Sequence, residues 1–211
     1  MNYFLHKITT LIMLFLFILT PFQSNFSFFN VNRLTNKAAS LVNTIKKLRS
    51  STHVSCHALF PPDDAIEPVL KALIDAELSS CNGKIDLTAF QFSSPEIFTV
   101  LLDASRRCTT NIRIVADTSA LGSRFNYIRD LHEQGLPVYI YPATGPSKKY
   151  TIMHNKFIIF YSLSCIWTGS MNFTRAGMNS NQENVLIIQN PNIVAAYAKQ
   201  FEKLIQRSTK L

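Results

Sequence analysis

HNKFIIFYSLSCIWTGSMNFTRAGMNSNQEN, residues 154–184, is the stretch from which the rest of the chain can be ordered. It opens on His154-Asn155-Lys156 and runs into Phe157-Ile158-Ile159-Phe160, an aromatic and β-branched sequence that predicts a buried strand. Side chains alternate along a strand, so His154 and Lys156 share one face and Asn155 takes the other. A second short strand is expected over Ser164 to Thr168, followed by the small, polar Gly169-Ser170-Met171-Asn172. A third is expected over Val185 to Ile188, reached through Glu183-Asn184. An imidazole, an ammonium, a hydroxyl, an amide and a carboxylate thus collect near the ends of three neighbouring strands. Such a set can handle a phosphate ester without a metal.

Upstream of this stretch, strands and helices alternate. Val54 to Phe60 reads as a strand stopped by Pro61-Pro62, and Asp64 with Glu67 resembles a capping box for a helix whose apolar face is Ile66, Val69, Leu70, Leu73 and Ile74. Ile85 to Phe92 predicts a strand, followed by Ser94 as N-cap and Pro95 at the first helical position. Ile112 to Ala116 and Leu136 to Tyr141 predict two more strands, with a helix between them marked by Phe125, Ile128 and Leu131 and closed by Gly135. Downstream, Asn190-Pro191 opens a last helix with Val194, Tyr197, Ala198, Phe201 and Ile205 inward. The expected fold is α/β, a mostly parallel sheet flanked by helices on both faces and preceded by an N-terminal apolar segment. There is no internal repeat and no second HxK.

At His154, Lys156, Gly169, Ser170 and Asn172 the chain resembles the phospholipase D superfamily, whose motif is HxK, four residues, Asp, six residues, then GSxN. Glu183 resembles the downstream Glu that braces the histidine. The resemblance runs from about Leu59 to Ile205 and is strongest to small single-motif members, bacterial nucleases and mitochondrial-surface phospholipase D-like proteins. Two departures stand out. Tyr161 occupies the position of the motif Asp, with no acid between Lys156 and Glu183, and Gly169 comes one residue later than the pattern.

The resemblance implies His154 as nucleophile forming a phosphohistidine, Glu183 fixing its tautomer, and Lys156, Ser170 and Asn172 holding the phosphoryl oxygens. It implies no cofactor and no metal. A single HxK implies a homodimer with the site at a two-fold interface, since a second histidine must protonate the leaving oxygen. The expected activity is that of a metal-independent phosphodiesterase. An endonuclease on single-stranded DNA or RNA is favoured, and a phospholipase D-like enzyme on an anionic phospholipid such as cardiolipin is the alternative. With Tyr161 in place of the acid, a catalytically dead phosphate- or nucleic-acid-binding descendant is a third reading.

The formal charge of +8 points to an anionic partner, either nucleic acid or an acidic membrane surface, and does not choose between them. Lys148-Lys149, in a Gly-Pro-containing loop before His154, is a candidate contact for a phosphate backbone or a plain solvated turn. Of the four cysteines, Cys56, Cys81, Cys108 and Cys165, none forms a CxxC pair. Buried or free thiols are the expected state, with a Cys56–Cys81 disulfide or a zinc set of His53, Cys56, His57 and Cys81 as alternatives. Three segments result: 1–30 as signal peptide or membrane anchor, 31–52 as a basic amphipathic helix or linker, and 53–211 as the catalytic domain. The first holds an apolar run from Ile8 to Leu19 and no charge from Ile8 to Asn32, so anchoring or export are both open, as is the side of the membrane. The second carries Arg33, Lys37, Lys46, Lys47 and Arg49 without an acid, suited to anionic lipid or to a solvated joint.

Overall fold

A computed structural model describes residues 28–48, 54–108, 111–122, 125–142 and 152–211. The leader, His53 and the Lys148-Lys149 loop, on which three of the expectations above rest, lie outside the described residues. The chain divides into two units, Met1–Arg33 and Leu34–Leu211. Within the second, one eight-stranded sheet carries the architecture, and its strand order explains how the site is assembled.

The elements follow in chain order as α1 (Phe28–Leu48), β1 (Ser55–Leu59), α2 (Ile66–Glu77), β2 (Ile85–Ala89), α3 (Pro95–Cys108) and β3 (Ile112–Asp117). A 3-10 turn (Thr118–Gly122) leads to α4 (Ile128–Glu133) and β4 (Val138–Tyr141). The stretch quoted at the outset forms β5 (Phe157–Phe160), β6 (Cys165–Gly169) and a short α5 (Arg175–Asn179). β7 (Val185–Gln189), α6 (Pro191–Gln206) and β8 (Thr209–Lys210) complete the chain. Across the sheet the order is β1-β7-β6-β5-β2-β3-β4-β8.

Helices cover both faces, as expected, but the pairing is mixed. Only β2–β3 and β3–β4 run parallel; β1–β7, β7–β6, β6–β5, β5–β2 and β4–β8 are antiparallel. Connection length is the physical reason. β5 and β6 are joined by only Tyr161 to Ser164, too short for the crossover that a parallel pair requires, so they form a hairpin. Ser164 takes φ 51 at the end of that turn.

Alternation along each strand divides the core. Ile158 and Phe160 face the larger cluster, with Ile114, Trp167 and the inner faces of α2, α3 and α4. Phe157 and Ile159 face the smaller one, with Val115, Ile166 and the α6 residues Val194, Phe201 and Leu204. The helix α1 is more than a joint, because Ala38, Val42 and Ile45 are buried in the larger cluster. Gln189 on β7 donates to the Ile45 carbonyl at 2.8 Å and to Leu163 at 3.1 Å, tying α1 and the β5–β6 turn to the sheet.

Several local expectations hold. Ser94 accepts from the Ile97 N–H at 3.1 Å, and Asn190 from Asn192 and Ile193 at 2.9 and 3.3 Å. Gly135, at φ 89, occupies the left-handed conformation after α4. Asp64 does not cap α2; it accepts the Phe60 N–H at 3.0 Å and closes the turn after β1, while Ala65 stands at the helix start. The cysteine alternatives also resolve. Cys81 is disulfide-bonded, whereas Cys56 and Cys165 are free thiols, so the Cys56–Cys81 bridge is not formed. Among the described residues no cluster suited to a metal is found.

Candidate functional site

The mixed sheet brings one end of β5, β6, β7 and β2 together, and the sequence-predicted residues all lie there. His154 and Lys156 lead into β5, Ser170 and Asn172 leave β6, and Glu183 precedes β7. The antiparallel register Gly169↔Val185 brings the last two close. Gly169 permits this approach, since a Cβ there would meet the Asn184 carbonyl oxygen at 2.1 Å. The Ser170 N–H bonds that carbonyl at 3.1 Å and the Asn184 side-chain oxygen at 2.9 Å.

His154 is exposed, and Lys156 is buried at 7%. The Lys156 ammonium bonds the His154 carbonyl at 2.8 Å. Both side chains meet Phe90, just beyond β2. Its ring centroid is 4.5 Å from that of His154, tilted by 60°, and 5.2 Å from Lys156 Nζ. Burial pulls the Lys156 pKa below that of an ordinary lysine, partly offset by the nearby Glu183 carboxylate.

Glu183 is engaged elsewhere than on the imidazole. Its carboxylate accepts a short hydrogen bond from the Ser170 hydroxyl and another from Asn181 Nδ2 at 3.2 Å. Ser170 Oγ in turn accepts the Asn184 N–H at 3.0 Å. A hydroxyl has one proton to give, so in this arrangement Ser170 orients Glu183 and has none left for a phosphate. Asn172 places Oδ1 in a buried position with no hydrogen-bond partner among the described residues. Such an orphaned acceptor is costly unless a donor arrives.

Three further residues build the site without having been singled out from the sequence. Phe90 is the shared wall just described. Asp117, fully buried at the end of β3, accepts Ser119 N–H at 2.8 Å and Met153 N–H at 2.7 Å, fixing the backbone immediately before His154. Tyr197 on α6 packs edge-on against Phe157 at 4.9 Å and, with Gln200, Thr168, Asn155 and His154, lines an open cleft on the α6 side. An acid ending the apolar run Ile112 to Ala116 was the available signal for Asp117. Phe90 offered none beyond its strand pattern.

Tyr161 lies at the opposite end of β5 and does not reach the site. Its hydroxyl donates to Asp86 Oδ2 at 2.6 Å. Asp86 is fully buried on β2 and receives Arg113 through two bonds of 2.7 Å, with Lys84 at 3.4 Å; Arg113 also meets Glu202 of α6 at 2.6 Å. Burial and the Asp86 carboxylate push the phenol pKa up, so Tyr161 acts as a neutral donor. A carboxylate is therefore present beside this end of β5, supplied by the neighbouring strand. The hairpin turn Tyr161 to Ser164 is at this end too, so its length leaves the His154–Lys156 pair undisturbed.

The family described as cardiolipin synthase, PLD-like domain, matches residues 74–205. A mitochondrial cardiolipin hydrolase of Xenopus laevis is 32% identical over 142 residues, covering 67% of this chain and 61% of the relative. A phospholipase D of Rickettsia prowazekii is 29% identical over 185 residues, 85% of this chain and 82% of the relative. This chain thus spans about three fifths of the length of the Xenopus protein. Among solved structures, the phospholipase D family member Nuc of Salmonella typhimurium matches with TM-score 0.63 at 23% identity, over 75% of this chain and 99% of that one. At that identity the match shows the fold alone.

Proposed function

The chain belongs to the phospholipase D-like family, and from that membership we propose that it is a metal-independent phosphodiesterase with His154 as nucleophile. The observation that carries this reading is an exposed imidazole two residues from a buried ammonium, both against the ring of Phe90. In the first step a neutral imidazole nitrogen forms a bond to phosphorus while the bond to the leaving oxygen breaks. Lys156 balances the charge on the phosphoryl oxygens, and Asn172 contributes its amide. The leaving oxygen takes a proton from a second, protonated His154 in a homodimer. Water then attacks the phosphohistidine and returns its proton to that second imidazole. Glu183 supports the positive charge that His154 acquires, with Ser170 setting its carboxylate.

Residues 53–211 form the catalytic part in this reading, and the apolar leader with the basic helix anchors or exports it. Nucleic acid, single-stranded DNA or RNA, fits the charge of +8. A phospholipid substrate has one specific observation in its favour: relatives at 32% and 29% identity carry the names cardiolipin hydrolase and phospholipase D. Labelled single-stranded DNA, RNA and cardiolipin, each incubated with the protein in EDTA, separate the two. Hydrolysis is expected to persist in chelator and to vanish in His154→Ala, with acid-labile, base-stable phosphate trapped on His154. Loss of activity on chelation, restored by magnesium, would end the proposal.

A further inference from the structure

Large apolar side chains that remain exposed are unevenly placed on this molecule. Among the described residues they are Val54 at 62%, Phe60 at 56%, Phe125 at 73% and Ile152 at 47%. Three of them stand at the site-bearing end of the sheet. Phe60 follows β1, whose last residue Leu59 pairs with Val185, and the adjacent Pro61 carbonyl accepts the Glu183 N–H at 3.1 Å. Ile152 precedes His154 by two positions, beside the Asp117 carboxylate that holds Met153. Phe125 is two residues from Tyr127, whose N–H bonds the Phe92 carbonyl at 3.1 Å just past β2. Val54 is at the other end, where Ser55 pairs with Gln189.

The three flank the site rather than fill it. At a strand spacing of about 4.8 Å, β1 stands roughly 14 Å from β5, with β7 and β6 between them. A two-fold contact made at His154 leaves the two flanks open.

The direction of α1 supplies a second, independent observation. Lys37 reaches Asp64 at 3.3 Å, beside Phe60 at the site-bearing end, whereas Ile45 is bonded by Gln189 at the far end. The chain before Leu34 therefore joins this unit at the end that carries the site. That preceding sequence has no charge from Ile8 to Asn32 and holds the apolar run Ile8 to Leu19.

We propose that the site-bearing end of the sheet is a membrane-docking face, seated by Phe60, Phe125 and Ile152 on a bilayer containing anionic phospholipid. The proposal rests on the reading of the His154 cluster as the functional site. Aromatic and branched aliphatic side chains standing out singly around a polar centre suit the interfacial region of a bilayer, where each removes apolar area from water. The net charge of +8 adds a long-range attraction to anionic headgroups. Nucleic acid fits this rim less well. Ile152 offers no stacking surface, and the exposed cations Lys37 and Arg175 at this end are already paired, with Asp64 at 3.3 Å and Glu96 at 3.2 Å.

Indole fluorescence tests it on the full chain. The only tryptophan, Trp167, is 1% exposed and gives a buried baseline that also reports folding. Phe60→Trp, Phe125→Trp and Ile152→Trp, with Val54→Trp as control, are made in a His154→Ala background and reconstituted into phosphatidylcholine vesicles with and without phosphatidylserine. The leader tethers every variant alike, so quenching reports orientation rather than attachment. Lipids brominated in the acyl chains should remove most of the added emission at positions 60, 125 and 152 and leave position 54 untouched. Iodide should do the reverse, and phosphatidylserine should strengthen the pattern. Rim indoles open to iodide would overturn the proposal. So would indoles shielded from iodide without bromolipid quenching, the mark of a second copy on this face, or shielding that appears only on adding single-stranded nucleic acid. The two readings fail separately: a wild-type protein that docks but cleaves no phosphodiester loses the catalytic reading alone, and an active protein with open rim indoles loses the docking alone.

Discussion

Lys156 is held where its charge is expensive. Burial lowers its pKa from the ordinary lysine value, against the pull of Glu183. Between the lowered pKa and the ordinary one the unfolded chain binds the proton that the folded chain has released, so stability rises with pH through that window. Below it the full cost of the buried ammonium is present. Lys156→Met should therefore raise the melting temperature at neutral pH, with the gain shrinking at alkaline pH, while activity falls by about 100-fold or more. Thermal unfolding by circular dichroism beside a turnover assay checks it, and a lowered melting temperature would show that the ammonium stabilises the fold. At this scale the sequence was informative where a motif exists. His154 and Lys156 could be read from their spacing, and Ser170, Asn172 and Glu183 from the resemblance. Which of them touch could not: Ser170 gives its proton to Glu183, a choice set by the close approach of Gly169 to Asn184.

The far end of β5 shows what one substitution means for an element. Where the motif has an acid, Tyr161 reaches the Asp86 carboxylate on β2, and Arg113 carries the link on to Glu202 of α6. Tyr161→Phe removes one hydrogen bond to a buried charge and should cost about 1.5–3 kcal/mol. Tyr161→Asp does more harm, because it sets a second carboxylate against Asp86; the expected loss is about 3 kcal/mol or more, with a large part recovered in Tyr161→Asp combined with Asp86→Asn. Urea denaturation of the three variants measures this, and a Tyr161→Asp protein as stable as wild type would mean that the site tolerates both acids. The strands themselves were legible: Phe157 to Phe160 is a run with no polar face, and Ile85 to Phe92 begins as the expected strand, ending at Ala89. Their directions were not, since hydrophobic pattern carries no sign. Direction follows from the length and path of the connection, and the four-residue link between β5 and β6 forces the hairpin. Short pieces such as α5 and β8 were missed because five and two residues hold too little periodicity to detect.

For the whole molecule the open question is how one HxK per chain serves a reaction needing two histidines. The proposed dimer answers with a composite site to which both chains contribute. Wild type and His154→Ala, unfolded together and refolded at varying ratios, should give activity that follows the square of the wild-type fraction, because mixed dimers are dead. A linear dependence would mean that each subunit carries its own complete site. The strand order has a consequence for synthesis as well. β1, among the first elements made, pairs with β7, and Ser55 meets Gln189 across 134 positions of chain. β5, β6 and β7 can zip sequentially as neighbours, but β1 must wait on the growing chain with no strand beside it until nearly everything else has emerged from the ribosome. Its pairing is the slow, long-loop step, and until then the chain exposes a strand edge to other nascent chains, making aggregation during translation, rather than unfolding of the finished protein, the hazard built into this topology.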